Sequence, residues 1–262
     1  MKFEYSSEQQ EQLFEDIFRG SITPNALPVE LYESISAYLL NGLDKGYGKI
    51  AIEYEVKSKA LKKALSNNIY RFSGAKTFQQ TYEMSLILSD KPKFKVFKEN
   101  AQQIFDTYNK TYLETEYITA KGQGYSSKKW LKIDSDKKLF PYLKRVGVRD
   151  KNQSEICRPL DGIILPVDHP FWKGAGAILS HWRCRCIFEQ IDKYEEPNIT
   201  SDALLTEAER LADEKGLQKM FKQNPAITGN VFDKSHPYFI VPKKYKKELE
   251  NNFNLAIPNS AK

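Results

Sequence analysis

Apolar residues recur every three to four positions along most of the first 120 residues, and this spacing predicts helices. Leu13, Phe14, Ile17 and Phe18 form one stripe, opened by Ser7 with Gln10 as a capping box and stopped at Gly20. Pro28 opens a second helix, with Leu31, Ile35, Tyr38 and Leu39 on one face and an end at Gly42. Gly42, Gly46 and Gly48 then predict a tight or left-handed turn. It is not a phosphate loop, because no strand precedes it and no Gly-Lys-Ser/Thr closes it. From Glu55 to about Ser89 the period returns in Val56, Ala60, Leu61, Ala64 and Leu65, with a break expected near Ser73 and Gly74. After Pro92 comes the longest run, from Phe94 and Phe97 through Tyr108 and Leu113 toward Ala120. It covers about 28 residues, roughly 40 Å of helix at the usual rise.

The period changes after Gly122, Gln123 and Gly124, which are expected to break the long helix. Trp130 and Leu131 are read as closing over the first core. Two short strands are expected, at 162–167 and 184–191, where Cys184, Cys186 and Phe188 alternate with Arg185, Ile187 and Glu189. Ser201 or Asp202 then caps a helix carrying Leu204, Leu205, Ala208, Leu211 and Ala212, stopped at Gly216. Asn224 to Phe232, His236 to Val241 and a basic helix at Lys243 read as a closing segment. The expected fold is α+β: a helical N-terminal half with a long helix, then a small mixed α+β C-terminal domain, divided as 1–121 and 122–262.

Composition bounds this picture without changing it. The 262 residues are 40% hydrophobic and 28% charged, the balance of a globular chain. No apolar run approaches the roughly 20 residues that span a bilayer, so no membrane is expected. The polar start lacks the apolar core of a signal peptide, which predicts synthesis and residence in the cytoplasm. Charge adds a candidate surface. Residues 121–151 hold ten Lys or Arg against three Asp, an excess of +7 beside the whole chain's +6. Lys128, Lys129, Lys137 and Lys138 are candidate contacts for DNA or an acidic protein face; the alternative is a solvated lysine-rich surface.

The chemistry concentrates between Arg145 and Ile191, which holds all three cysteines, two of the three histidines and two of the three tryptophans. Three cysteines are too few for a disulfide framework. Cys157, His181, Cys184 and Cys186 are a full donor set for tetrahedral zinc. Against this, Cys184 and Cys186 on a regular strand would stand about 6.6 Å apart, too far to share an ion unless the backbone bends. Buried thiols filling a small core are the alternative. A third reading makes His181 an acid or base and Cys157 or Cys184 a nucleophile. Arg158, Arg183 and Arg185 either hold an anion or brace the loop against Asp161 or Asp168. Trp172 and Trp182 are read as core anchors.

These residues carry a resemblance. Cys157-x-x-Leu160-Asp161-Gly162, then Asp168-x-Pro170-Phe171-Trp172, then His181-x-x-Cys184-Arg185-Cys186, resembles the phage head-morphogenesis family of Mu protein F and the SPP1 minor head protein. The motif covers about 45 residues, with Leu160, Asp161, Gly162, Asp168, Trp172 and Arg185 as its structural positions. Where that family often has two prolines before the His, this chain has Ile178 and Leu179. The resemblance implies a minor capsid protein of a phage or prophage. It would be made in the host cytoplasm and carried in the capsid interior, acting with the portal and other capsid components in assembly and in DNA packaging or delivery. The competing reading is an enzyme of nucleotide or nucleic-acid chemistry, ADP-ribosyltransferase-like or a nuclease, using the His181 and Arg185 region.

Overall fold

The computed structural model describes residues 2–50 and 54–258. Long helices come first, then a three-stranded antiparallel sheet among turns, then short helices, so the fold is α+β. Helix α1 spans Ser7–Arg19, α2 Val29–Tyr47, α3 Glu55–Ile87, α4 Phe94–Asp106 and α5 Leu113–Asp136. The α1 cap lies one residue earlier than expected: the Ser6 hydroxyl accepts from the Gln9 amide, and the Gln9 side chain returns the bond. A π-helical turn, Thr107–Tyr112, joins α4 to α5, so helical backbone runs unbroken from 94 to 136. None of the described helices is long and apolar enough to cross a membrane.

The helix ends expected at Gly42, near Gly74 and at Gly122 do not occur. A glycine caps a helix by turning left-handed; these three do not, and each lies instead where an added side chain would crowd a neighbour. A Cβ on Gly42 would come within 2.9 Å of the Tyr117 carbonyl oxygen, and one on Gly74 within 2.6 Å of Asn252 Oδ1. The tightest approach is at Gly46, where a Cβ would press into the backbone carbonyl of Lys121. On the facing helix, a Cβ on Gly124 would lie 2.7 Å from the Leu43 carbonyl oxygen. Gly46→Ala should therefore lower the urea midpoint by the equivalent of about 1–3 kcal/mol, because backbone must move to admit the methyl group. Gly122→Ala, which meets only the Leu179 side chain at 3.2 Å, should cost less. Equal midpoints for the two variants would contradict this packing.

The chain forms two compact units. The first comprises Met1–Gly42, Ser66–Tyr117 and Lys234–Lys262, and the second Leu43–Leu65 and Ile118–Asp233. In the first, aromatic rings knit the helices: Phe18 lies 5.1 Å from Phe94 and Tyr38 4.6 Å from Tyr117. Phe78 stacks on Phe253 of the C-terminal segment at 4.6 Å. Below them a polar core is buried, in which the Lys76 ammonium pairs with Glu116 at 2.8 Å.

In the second unit the sheet order is β2-β1-β3, with β1 Tyr142–Val146, β2 Ile164–Pro166 and β3 Ile187–Ile191. Leu143 faces Leu165 on one side and Gln190 on the other. Helices α6 (Asp202–Glu214) and α7 (Pro225–Thr228) follow, α6 capped by the Ser201 hydroxyl. Trp130, expected over the first core, packs instead in this one, its ring 5.7 Å from Phe188. Trp172 is fully buried there, its Nε1–H donating to the Pro166 carbonyl at 2.9 Å. Strand β1 was not expected, and it builds the site.

Candidate metal centre

Strand β1 alternates as strands must, and its two buried side chains are Leu143 and Arg145. The alternation drives a guanidinium into the interior. Past β1 the chain returns through Gly162, whose φ of 85° needs no side chain; its N–H donates to the Arg145 carbonyl at 2.8 Å. The Asp161 carboxylate holds this return, accepting from Gly147 N–H at 2.8 Å and Arg149 Nε at 2.7 Å. Burial opposes the carboxylate's charge, but those bonds outweigh it and keep the Asp161 pKa below the ordinary range.

Between Asp161 and β1 the chain passes through turns that carry Cys157, which is buried. Cys184 and Cys186 lie just ahead of β3. Arg183 takes a left-handed φ of 60°, the Cys184 N–H donates to the His181 carbonyl at 3.2 Å, and regular strand begins only at Ile187. The bend that metal sharing would require is therefore present. The three sulfurs lie within 4.8 Å of one another, with Cys157 Sγ and Cys184 Sγ at 3.6 Å. Sulfurs around tetrahedral zinc stand about 3.8 Å apart, given Zn–S near 2.3 Å, so small side-chain adjustments suffice. The three cysteines can hold a metal ion.

His181 stands beside the three sulfurs, hydrogen-bonded to Cys184. Its Nδ1 engages the Trp182 carbonyl at 2.7 Å, and a hydrogen bond with Cys184 raises its pKa against the effect of burial. Bonds from Cys157 and Cys186 hold the Cys184 thiol well below its ordinary pKa, with His181 and Arg145 adding to them. Cys157 is pushed up by its bond with Cys184 and by burial. The Arg145 guanidinium closes the cluster from within. It donates to the carbonyls of Gly176, Ala177 and Ile178, to Ser180 Oγ at 2.7 Å, and to Cys157 Sγ at 3.7 Å.

The remaining motif positions make contacts within the chain. Leu160 is fully buried. Arg185 does brace the loop, but against Asp150, through two bonds of 2.8 Å, and not against Asp161 or Asp168. Asp161 takes Arg149 instead, Asp168 takes Lys137 at 2.8 Å, and Arg158 takes Glu155 at 2.9 Å. Trp182 sets its ring edge-on to Phe221 at 5.2 Å. Three of the four candidate contact lysines make bonds within the chain. Lys128 donates to the Lys49 carbonyl and half-buried Lys129 to the Phe188 carbonyl, Lys137 is paired with Asp168, and Lys138 is exposed. Arg145 and Ser180 were missed in the sequence. The signal for Arg145 was its place two residues from Leu143, on the same face of a strand.

Beside the cluster a cleft of about 40 Å³ is lined by Asn152, Gln153, Cys157, His181, Arg185 and Cys186, among others. That is room for a water or two; pockets for nucleotide-sized ligands are about tenfold larger. Fold and site together describe a helix-rich α+β protein whose three cysteines gather beside a small cleft. The model of the family described as phage Mu protein F like protein matches residues 33–189, from α2 into β3 with all three cysteines inside. The chain belongs to that family, and is a phage head-morphogenesis protein of the assembling or finished virion, among capsid components. No curated protein and no solved structure matches the chain.

Proposed function

We propose that this chain is a minor head protein that associates with the portal during assembly in the host cytoplasm, enters the capsid interior, and serves DNA packaging or delivery from there. In this reading zinc at Cys157, Cys184 and Cys186, with His181 at the fourth position, ties the loops that carry the family motif. The observation that carries it is the cysteine cluster: three sulfurs within 4.8 Å, inside the segment matched by the family model. Structural zinc contributes folding energy directly, because the unfolded chain has no preformed site. The enzyme reading draws less support, since Arg185 is committed to Asp150 and the cleft is small.

The test is co-expression with the portal protein of the same phage. The chain should co-purify with portal or procapsid, and metal analysis should find zinc near one per chain. Duplex DNA binding through the basic segment would be sequence-independent and fall steeply with salt. Replacing all four by Gln should lower DNA retention at low salt with little change in the urea midpoint, because the bonds of Lys128 and Lys137 are exposed and exposed pairs add little stability; unchanged retention would remove this segment from DNA contact. A chain that ignores the portal and turns over a nucleotide would replace this reading with the enzyme.

A further inference from the structure

Arg145 is 0% exposed, yet its hydrogen-bond partners are three backbone carbonyls, a hydroxyl and a sulfur, with no carboxylate among them. A buried cation without a counter-ion is destabilising, since hydrogen bonds to neutral acceptors offset only part of the desolvation cost. Among the described residues, the ionisable groups whose charge bears on this spot are Cys157, Cys184 and Cys186, with Cys157 Sγ at 3.7 Å from the guanidinium. A divalent ion held by three thiolates has a net charge of −1, and a neutral imidazole or water in the fourth position leaves it so. One guanidinium then brings the buried assembly to zero.

Resting on the zinc reading above, we infer that Arg145 is the built-in countercharge of the centre, and that it sets the class of ion the clasp accepts: a thiophilic divalent cation bound as a tris-thiolate. A trivalent ion in the same ligands would leave the guanidinium uncompensated, and a monovalent one would leave an excess negative charge. Ser180 Oγ and the carbonyls of Gly176, Ala177 and Ile178 hold the guanidinium plane in place, so that its NH2 group faces Cys157. Arg145 is thus a positioning residue that acts through the sulfurs. It belongs to the shell that orients and tunes metal ligands, whose loss typically weakens metal binding by about 10- to 100-fold.

Cobalt(II) titration of the full chain tests this, because cobalt reports thiolate ligation through its sulfur-to-metal charge-transfer band. Wild type should bind one ion with that band. Arg145→Met, folded by circular dichroism, should bind about 10- to 100-fold more weakly, and Arg145→Lys, which keeps the charge, should recover most of the loss. In a Cys186→Ser background the bound ion carries one thiolate fewer, so adding Arg145→Met there should cost little. If Arg145→Met alone does not fold, this double variant decides: it should fold and bind no more weakly than Cys186→Ser. Failure of the double variant to fold would assign Arg145 to the scaffold alone. A folded Arg145→Met with wild-type affinity, or the same loss in both backgrounds, overturns the countercharge and leaves the zinc reading standing. No uptake of cobalt or zinc by wild type overturns both.

Discussion

Replacing Lys76 by Met, or Glu116 by Gln, should each destabilise the first unit by about 3–5 kcal/mol, the range for removing one partner of a buried ion pair. Both residues are buried, Lys76 completely. The ammonium contacts Glu116 Oε2 at 2.8 Å and Oε1 at 3.0 Å, donates to the Tyr108 carbonyl at 2.7 Å, and lies about 5 Å from the rings of Tyr108 and Tyr238. The Tyr238 hydroxyl also donates to Glu116, at 2.9 Å. Burial lowers the Lys76 pKa even with Glu116 beside it, so desolvation outweighs the attraction. The pair therefore adds little net stability, and its main effect is a large penalty when half of it is removed. Lys76→Met combined with Glu116→Leu should recover most of the loss in urea unfolding. Additive single losses, or a single loss below about 1 kcal/mol, would sink this account.

What the sequence showed and what it hid follow from how far apart the cooperating residues lie. The stripes of α1, α2 and α4 were legible, because a local period fixes them. The stop of α1 at Gly20 was legible too, and the backbone is left-handed there. The end of α2 was not, because Gly42 was read as its stop and Gly46 as part of the turn after it. Four residues apart on one helix, they share a face, and that spacing was the signal for a close helix approach. Strand β1 was hidden by Lys144 and Arg145, polar residues in a short run whose alternation counts Arg145 as inward. The cysteines were found because they are rare and clustered. Their proximity in space depends on the left-handed backbone at Arg183, which no composition reveals. Lys76, Glu116 and Tyr238 each look like ordinary surface or tail residues, and only the fold brings together positions 40 and more residues apart.

Stability of the first unit should fall as pH drops from about 7 toward 4, and much of that fall should vanish in His236→Asn. His236 is 5% exposed, and its ring packs edge-on against Phe72 at 4.9 Å. Its Nδ1 accepts from the Tyr238 N–H at 3.2 Å, capping the turn that delivers Tyr238 to Glu116. Burial first, and then the Lys76 charge, lower its pKa from 6.5 to about 4. The folded state therefore keeps a neutral imidazole where the unfolded chain has already taken up a proton. Unfolding between these values binds a proton, so the stabilisation is fully present above pH 6.5 and is lost as pH falls toward 4. The difference corresponds to about 3 kcal/mol at 1.36 kcal/mol per pH unit. Asn can accept the same backbone bond without titrating, so it isolates the charge from the cap. Urea midpoints followed across this range should diverge, wild type falling more steeply than His236→Asn. Lys76→Met should flatten the wild-type curve in part, because it removes one of the two causes of the depressed pKa. Parallel curves for wild type and His236→Asn would show that the imidazole is protonated in the folded state at no cost, contrary to its burial.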